Sequence, residues 1–504
     1  MHNIISMSLP NILYTAKQVR ELDRIAIQSF GIAGFTLMQR AGQATFDVLL
    51  HTYPRVQSIC VICGLGNNGG DGYVIATLAH QAGLRVNLIQ LGQASKLQGD
   101  ALTAQQAFRQ TGLSILPFSP EYLDADCIVD AIFGTGLSRE VSGEWATVMQ
   151  AINKLAAPVV AVDIPSGLHA DTGRVMGMAV QATLTVTYIG LKCGLVTGQA
   201  RDYVGQLHFD DLSIPPAVYQ HLKEQPRRFL IPEDIRQKKL VRRPRSSHKG
   251  TFGHILLIGG AKGMSGAIRL AGEASLRTGA GLVTIGTDYQ HADLLNITRP
   301  ELMVSGIQDV AVLQPLIENA SCIAIGPGLG NSAWAKSLLT EVLKSDKPKI
   351  VDADALNLLA SEAQWQQVRF DNWILTPHPG EAARLLQTTT TSIEDDRYAS
   401  AEKCVKKWGG VCVLKGAGTL IADKQQTVVS SAGNPGMASG GMGDVLTGVI
   451  AGLVAQGYAL FDAAQLGVTL HAEAADKIAL DGERGLLASD LFPVIRELVN
   501  PCKN

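Results

Sequence analysis

The sequence predicts two α/β domains in tandem, each a largely parallel sheet covered by helices, and three observations predict it. The chain has 504 residues, more than one hydrophobic core usually serves. Short β-rich runs alternate with helical patterns in two separate segments, the mark of strand–helix–strand units. Between those segments lies PRRFLIPEDIRQKKLVRRPRSSHKG, rich in Arg, Lys and Pro, which reads as a linker into the second domain. The domains so defined are residues 1–224 and 228–504.

Composition narrows the function classes. Hydrophobic residues make up 46% and charged residues 17%, ordinary for a globular protein. A net charge of −2 gives no overall pull toward nucleic acid or an anionic membrane, and the basic stretch lacks the interleaved aromatics of a nucleic-acid surface. No run of about 18 apolar residues occurs, so no membrane span is expected. The start, MHNIISMSLPNIL, lacks a basic region followed by a long apolar one, so a cytoplasmic protein without a signal peptide is expected. Of eight cysteines, Cys60 and Cys63 form the one close pair. On a strand they point to opposite faces, and no second CxxC completes a zinc site, so reduced, buried thiols are expected.

The first domain carries the strand candidates SICVIC, RVNLIQL, CIVDAIF, PVVAVDI and TLTVTYI. After the first comes CGLGNNGGDGYV, then the helical run YVIATLAHQAG. Gly64, Gly66 and Gly69 match GxGxxG between a strand and a helix, where free N–H groups and the helix dipole favour a phosphate. A hydride-transfer domain would next place an acid at the end of the second strand, but RVNLIQLGQ has none. Two further strand ends bear carboxylates: Asp130 in CIVDAIFGTGLSRE and Asp163 in PVVAVDIPSGLHADTG, with Ser166 just beyond. Strand carboxyl ends converge on one crevice in a doubly wound sheet. Asn68, Asp130 and Ser166 offer hard oxygens to a cation, and Asp163 can shuttle a proton. Either aspartate alone is equally explained as the cap of a following turn.

NNGGDG, VDAIFGTG and VDIPSG in this order closely resemble the epimerase domain of NAD(P)H-hydrate repair enzymes, over roughly residues 13–222. The resemblance implies a Rossmann-like doubly wound domain that interconverts R- and S-NAD(P)HX, the hydrated, redox-dead nicotinamide nucleotides. It implies substrate contacts from Asn67, Asn68, Gly69, Gly70 and Asp71, from the loop Gly134, Thr135, Gly136, Leu137, Ser138, Arg139 and Glu140, and from Asp163. It further implies potassium held by Asn68, Asp130 and Ser166, with Asp163 as acid/base.

The second domain carries the strand candidates HILLIGG, LVTIGT, CIAIGPG, KIVDADA, WILTP and VCVLKG. Glycine turns follow several of them, and His378 stands at the mouth of a helix beginning near Gly380. Lys415 closes a strand before Gly416 and Gly418, a phosphate-binding candidate that is not a Walker A loop. Most pointed is SAGNPGMASGGMGDVLTG, residues 431–448, where Gly443 and Asp444 stand at the start of a helix. Glycine N–H groups there can form an anion nest, and the dipole is expected to lower the pKa of Asp444 and keep it ionised. An anion nest beside a base suits phosphoryl transfer to an alcohol. A capping aspartate would explain Asp444 alone, but not the glycines before it.

That stretch resembles the anion hole of ribokinase-like small-molecule kinases. The full set GMSGA, GPGLG, DADALN, HPGE, KGAGT and NPGMASGGMGD is similar to the nucleotide-dependent NAD(P)HX dehydratase over roughly residues 231–499. The resemblance implies that ADP or ATP, with Mg²⁺, phosphorylates the C6 hydroxyl of S-NAD(P)HX and that phosphate is then eliminated, with ADP the favoured donor in one-chain bifunctional enzymes. Ala267, Gly328 and His378 would touch the hydrate, while Lys415, Gly416, Ala417, Gly418, Thr419 and Gly443 would hold the nucleotide. Asp444 would activate the hydroxyl. The expected partners are therefore NADHX, NADPHX and ADP or ATP, with no nucleic acid or membrane, in a homo-oligomer. Two other readings stay open: a kinase of a vitamin-sized alcohol with a regulatory first domain, and a non-enzymatic nucleotide-binding or interaction module.

Overall fold

The computed structural model describes residues 9–500; Cys502, one of the eight cysteines, lies outside them. The chain forms two compact units that divide between Arg228 and Phe229.

In the first unit seven strands make one sheet: β1 (Ser58–Cys63), β2 (Arg85–Gln90), β3 (Ile115–Leu116), β4 (Cys127–Ala131), β5 (Val159–Val162), β6 (Leu184–Tyr188) and β7 (Gln206–Asp210). Their order is β3-β2-β1-β4-β5-β6-β7, and every pairing is parallel. This is the doubly wound arrangement, with the order reversing between β1 and β4. β1 and β4 are buried along their whole length, which is why they read as continuous apolar runs. Alternate residues serve different cores: Cys60 packs with Ile62 and Ile128 on one face, and Cys63 with Val61 and Val129 on the other. All seven described cysteines are free and buried.

The NNGGD run is not a loop before a helix. The helix starts at Asn67 and runs to Gln81, six residues before Tyr73. Glycine costs a helix about 1 kcal/mol per residue relative to alanine, but packing overrides that here. A Cβ on Gly69 would overlap the Gly64 carbonyl, and one on Gly72 would stand within 3 Å of Ala131 Cβ and Cys63 Sγ. Only glycines let this helix lie so close to its sheet.

The second unit orders nine strands as β10-β9-β8-β11-β12-β13-β14-β15-β16: β8 (His254–Ile258), β9 (Leu282–Asp288), β10 (Met303–Ile307), β11 (Cys322–Ile325), β12 (Lys349–Val351), β13 (Trp373–Leu375), β14 (Val411–Leu414), β15 (Leu420–Ala422) and β16 (Thr427–Val429). Pairing is parallel from β10 to β14 and antiparallel from β14 through β16. Alternation again feeds two cores, with Ile255, Leu257 and Ala324 on one face and Leu256, Ile258 and Ile323 on the other.

The basic stretch is more than a linker. Ile231, Ile235 and Leu240 are buried in the second unit's core, and Ile235–Lys239 forms a short helix. Three apolar residues spaced among cations anchor the segment, while Arg242 and Arg245 remain exposed.

Candidate functional sites

In the first unit a cleft of 530 Å³ opens where the strand order reverses. The helix Asn67–Gln81 has no side-chain cap, so its first N–H groups are available to an anion. Asn67, Asn68, Asp71, Gly134, Thr135, Gly136, Leu137, Ser138, Arg139 and Asp163 line the cleft. Gly69 and Gly70 do not; they are buried packing positions. Glu140 is not among the lining residues either and pairs with Arg174 at 2.5 Å.

Asp163 follows β5 in the left-handed region, at φ 67°. Its Oδ1 accepts from Lys192 Nζ, from Thr187 Oγ1 (3.3 Å) and from the Tyr188 N–H (3.3 Å). Lys192, 1% exposed, also donates to Thr187 Oγ1 (3.0 Å) and the Tyr188 carbonyl (2.9 Å), so all its N–H groups are spent. Asp23 and Asp71 share the cleft with this lysine. Burial pushes Asp23 up to about 6, with Lys192 acting against it and Asp163 with it. Burial, then repulsion from Asp163 and Asp23, holds Asp71 well above the usual carboxylate range. The sequence reading missed both Lys192 and Asp23. Lys192 follows TLTVTYI by three residues, but no local pattern marks a lysine that turns inward.

Asp130 is fully buried, and burial raises it to about 6 against three hydrogen bonds. Ser166 supplies two of them, through its N–H (2.8 Å) and Oγ (2.6 Å), and the Ile132 N–H the third (3.2 Å). Ser166 Oγ accepts in turn from the Phe133 N–H (2.8 Å). Asn68 stands against Gly134, and both polar atoms of its side chain are buried without a partner. Its oxygen therefore keeps two free lone pairs, and the buried Asp130 carboxylate and the Ser166 hydroxyl each have acceptor capacity left.

In the second unit Asp444 lies in the first turn of the helix Met442–Ala455, whose N-cap Gly441 is left-handed at φ 89°. Among the described residues its carboxylate has no hydrogen-bond partner. The expected lowering by the dipole does not hold: Asp444 is raised to about 7, first by burial and then by Asp352, Asp354 and Glu381, with Lys415 opposing. Loss of water and three nearby carboxylates outweigh a dipole worth about 0.3–1 kcal/mol.

Lys415 is already engaged. Its Nζ donates to Asp352 Oδ1 (2.8 Å) and lies 3.7 Å from Glu381 Oε2. Burial lowers its pKa, yet Asp352 and Glu381 bring the net shift upward. Asp352 is the N-cap of Ala353–Ser361 but does not cap it; its second oxygen accepts from Thr447 Oγ1 (2.7 Å). Gly443 sits against Lys415 Nζ. The quoted motifs thus acquire roles that the sequence did not assign. Asp352 aims the lysine, Asp354 ties the GPGLG turn through the Gly330 N–H (2.8 Å), and Asn357 accepts from Arg384 (2.6 Å). Gly328 adjoins Ala267 on the helix Ser265–Thr278.

His378 is the N-cap of Pro379–Leu386. Its Nδ1 accepts from the Gly380 N–H (3.0 Å), and Glu381 completes a capping box. With Nδ1 accepting, the proton belongs on Nε2, which faces Glu381 Oε1 at 3.3 Å. Burial, then Lys415 and Arg384, lower its pKa, so it stays neutral near pH 7. The hairpin Lys415–Thr419 joins β14 to β15, and buried Arg397 donates to the Lys415 carbonyl (3.1 Å) from below.

The glycines of SAGNPGMASGGMGDVLTG divide between two jobs. Asp476 holds the loop, accepting from the Gly433 N–H and Asn434 Nδ2 (both 2.8 Å), while Gly440 faces open space. Farther along, a Cβ on Gly448 would overlap the Ala271 carbonyl. Close packing and open backbone are both present, at Gly448 and Gly440 respectively.

A parallel doubly wound unit with a carboxylate cleft, joined to a unit with a glycine-rich helix start that carries an aspartate, defines a two-site nucleotide-handling class. Comparison with known proteins narrows it. A family described as "NAD(P)H-hydrate dehydratase" matches residues 255–497, and one described as "YjeF-related protein N-terminus" matches residues 34–194. The chain is 48% identical to the bifunctional NAD(P)H-hydrate repair enzyme of Coxiella burnetii, covering 97% of this chain and all of that one. It is 44% identical to the Escherichia coli enzyme of the same description, covering 98% and 95%. A solved ribokinase-like superfamily protein from Enterococcus faecalis superposes with a TM-score of 0.51 at 31% identity, over 55% of this chain and 97% of that one. The chain belongs to the family of bifunctional NAD(P)H-hydrate repair enzymes. Among the described residues no helix is long and apolar enough to cross a membrane.

Proposed function

We propose that the chain restores hydrated nicotinamide nucleotides in two steps, epimerising R- and S-NAD(P)HX in its first unit and dehydrating S-NAD(P)HX in its second, with ADP or ATP as phosphoryl donor. The observation that carries this reading is the Asp444 carboxylate, raised to about 7 at a glycine-rich helix start beside Lys415. A base whose pKa lies near the working pH can both hold and accept a proton. Asp444 takes the proton of the C6 hydroxyl as its oxygen attacks the terminal phosphorus, and the Lys415–Asp352 pair and the Gly443 backbone stabilise the phosphate charge. Phosphate then leaves C6 with the C–O bonding pair as a proton is lost from C5, which forms the C5=C6 bond of NAD(P)H, and ADP as donor yields AMP. Mg²⁺ binds mainly through substrate phosphates and one or two carboxylates, for which this acidic site is suited; it would neutralise the transferring group.

In the first unit Asp163 exchanges the proton, held in place by Lys192. The phosphates of the hydrate fit the helix start at Asn67–Asp71 and the loop at 134–139. Potassium fits Asn68, Asp130 and Ser166, since Asn68 Oδ1 is buried without a partner; the ion would fix the loops that carry substrate.

The test is recovery of dihydronicotinamide absorbance from an R/S NADHX mixture with Mg²⁺, run with ADP, with ATP and with no nucleotide. Nucleotide-dependent recovery of nearly all the absorbance is expected. Recovery that stops at the S fraction would remove the epimerase assignment, and none with either nucleotide would favour a kinase of another alcohol.

A further inference from the structure

A cavity of 1210 Å³ in the second unit lies away from the Asp444 site. It lies at the opposite ends of the same two helices, Ser265–Thr278 and Met442–Ala455, where Leu276, Gly279, Leu453 and Gln456 form part of its wall. We infer that this cavity binds a small polyanion carrying two or more phosphate groups. The inference does not rest on the function proposed above.

Charge is the first argument. Arg242, Arg243, Arg245, Arg277, Arg299 and Arg496 line the cavity together with Lys239, against Glu273 and Glu301 alone, in a chain whose net charge is −2. Some of these cations have structural duties. Lys239 pairs with Asp462 (2.9 Å), and Arg277 (3.4 Å) and Arg299 share Glu273. Arg243 stacks on the Phe252 ring at 3.6 Å and donates to the Gly279 carbonyl and Gln456 Oε1. The remainder have none: among the described residues Arg242, Arg245 and Arg496 have no carboxylate or hydrogen-bond partner for their side chains, and Arg299 Nε is buried without one.

Residue type is the second argument. Six of the seven cations are arginine, whose planar fork matches phosphate oxygens in pairs. Helix C-termini ordinarily repel anions, but here carbonyls are already covered, Gly279 by Arg243 (2.5 Å) and Thr278 by Gln456 Nε2 (3.2 Å). Size is the third, since the volume is ample for a nucleotide-sized ligand. The source of the phosphates is either a nucleotide or an inorganic polyphosphate.

Calorimetric titration of the full chain at low salt, with tripolyphosphate and separately with ATP, tests the site. Tripolyphosphate affinity should fall about tenfold or more in the triple variant R242Q/R245Q/R496Q, and stay within about twofold of wild type in Lys415→Ala, which alters the Asp444 site. The triple Arg→Lys variant, which keeps the charge and loses the forks, should fall between. Two ATP sites per chain, reduced to one by the triple Gln variant, would name a nucleotide as ligand; one ATP site with intact tripolyphosphate binding would name an inorganic polyphosphate. The inference is overturned if wild type binds no tripolyphosphate, or if binding is lost in Lys415→Ala and kept in the triple Gln variant. It is equally overturned if the triple Gln variant changes only the oligomeric state, which would make this face a contact between copies.

Discussion

The two sites handle a half-buried carboxylate in opposite ways. In the first unit Asp163 is tied down, its Oδ1 taking three donors including a lysine that is itself wholly enclosed. In the second unit the lysine is spent on Asp352, and Asp444 is left without a hydrogen-bond partner at about 7. Each site sets several carboxylates around one lysine, and contact with that lysine decides which carboxylate is fixed. The others are pushed toward protonation, Asp23 and Asp71 in one case and Asp444 in the other. A catalytic role therefore depends on where the cation points, not only on where the acid sits.

The widest split between the sites should come from Asp444→Asn. Dehydration should slow by about 10²–10⁴-fold, while R-to-S exchange, followed by chromatography of the epimers, stays within about twofold. A loss under about tenfold would take Asp444 out of the role of base. Lys192→Met attacks the other side of the comparison. It strands Asp163, Asp23 and Asp71 without their cation, so epimerisation should drop by about a hundredfold and the first unit should lose about 3 kcal/mol or more. Lys192→Arg should recover part of the stability; an unchanged melting curve in Lys192→Met would show that the pair holds nothing.

A smaller effect is the pH profile. With Asp444 as the proposed base, dehydration requires its ionised form, so kcat/KM should rise about tenfold between pH 6 and 8, following a group near 7; a flat profile would contradict a free, raised base. Gly448→Ala should cost about 1–3 kcal/mol by overpacking against Ala271, read from urea unfolding, with both activities retained in what remains folded.

The smallest effect is on stability. A carboxylate whose pKa is raised by folding binds its proton more tightly in the native state than in the unfolded one. Stability contributed by protonated Asp444 is therefore lost as pH climbs from its unfolded value, near 4, through about 7. Asp444→Asn should accordingly raise the melting temperature most at pH 8 and hardly at all near pH 4. The reverse order would show that Asp444 is stabilised, not strained, as an anion.

Sequence alone determined the class of fold and the positions of the acids proposed to react. Buried parallel strands must be apolar on both faces, so SICVIC, CIVDAIF and HILLIGG announce themselves, and glycines mark turns where backbone meets ligand or sheet. Strands that break those rules went unread: β7, QLHFD, has no buried residue, and β3 is two residues long. The start of the helix at Asn67 was hidden because its glycines oppose helix locally and are accepted only for the sheet they approach. The basic stretch read as a linker because charges outnumber the three apolar anchors that seat it. Tertiary structure alone decided the electrostatics. Whether Asp444 is ionised depends on Asp352, Asp354, Glu381 and Lys415, brought together from separate strands and turns, and the pairing of Lys192 with Asp163 spans 29 residues of chain. Local pattern encodes burial and turns because those are properties of neighbours in sequence; pKa and ion pairing are properties of neighbours in space.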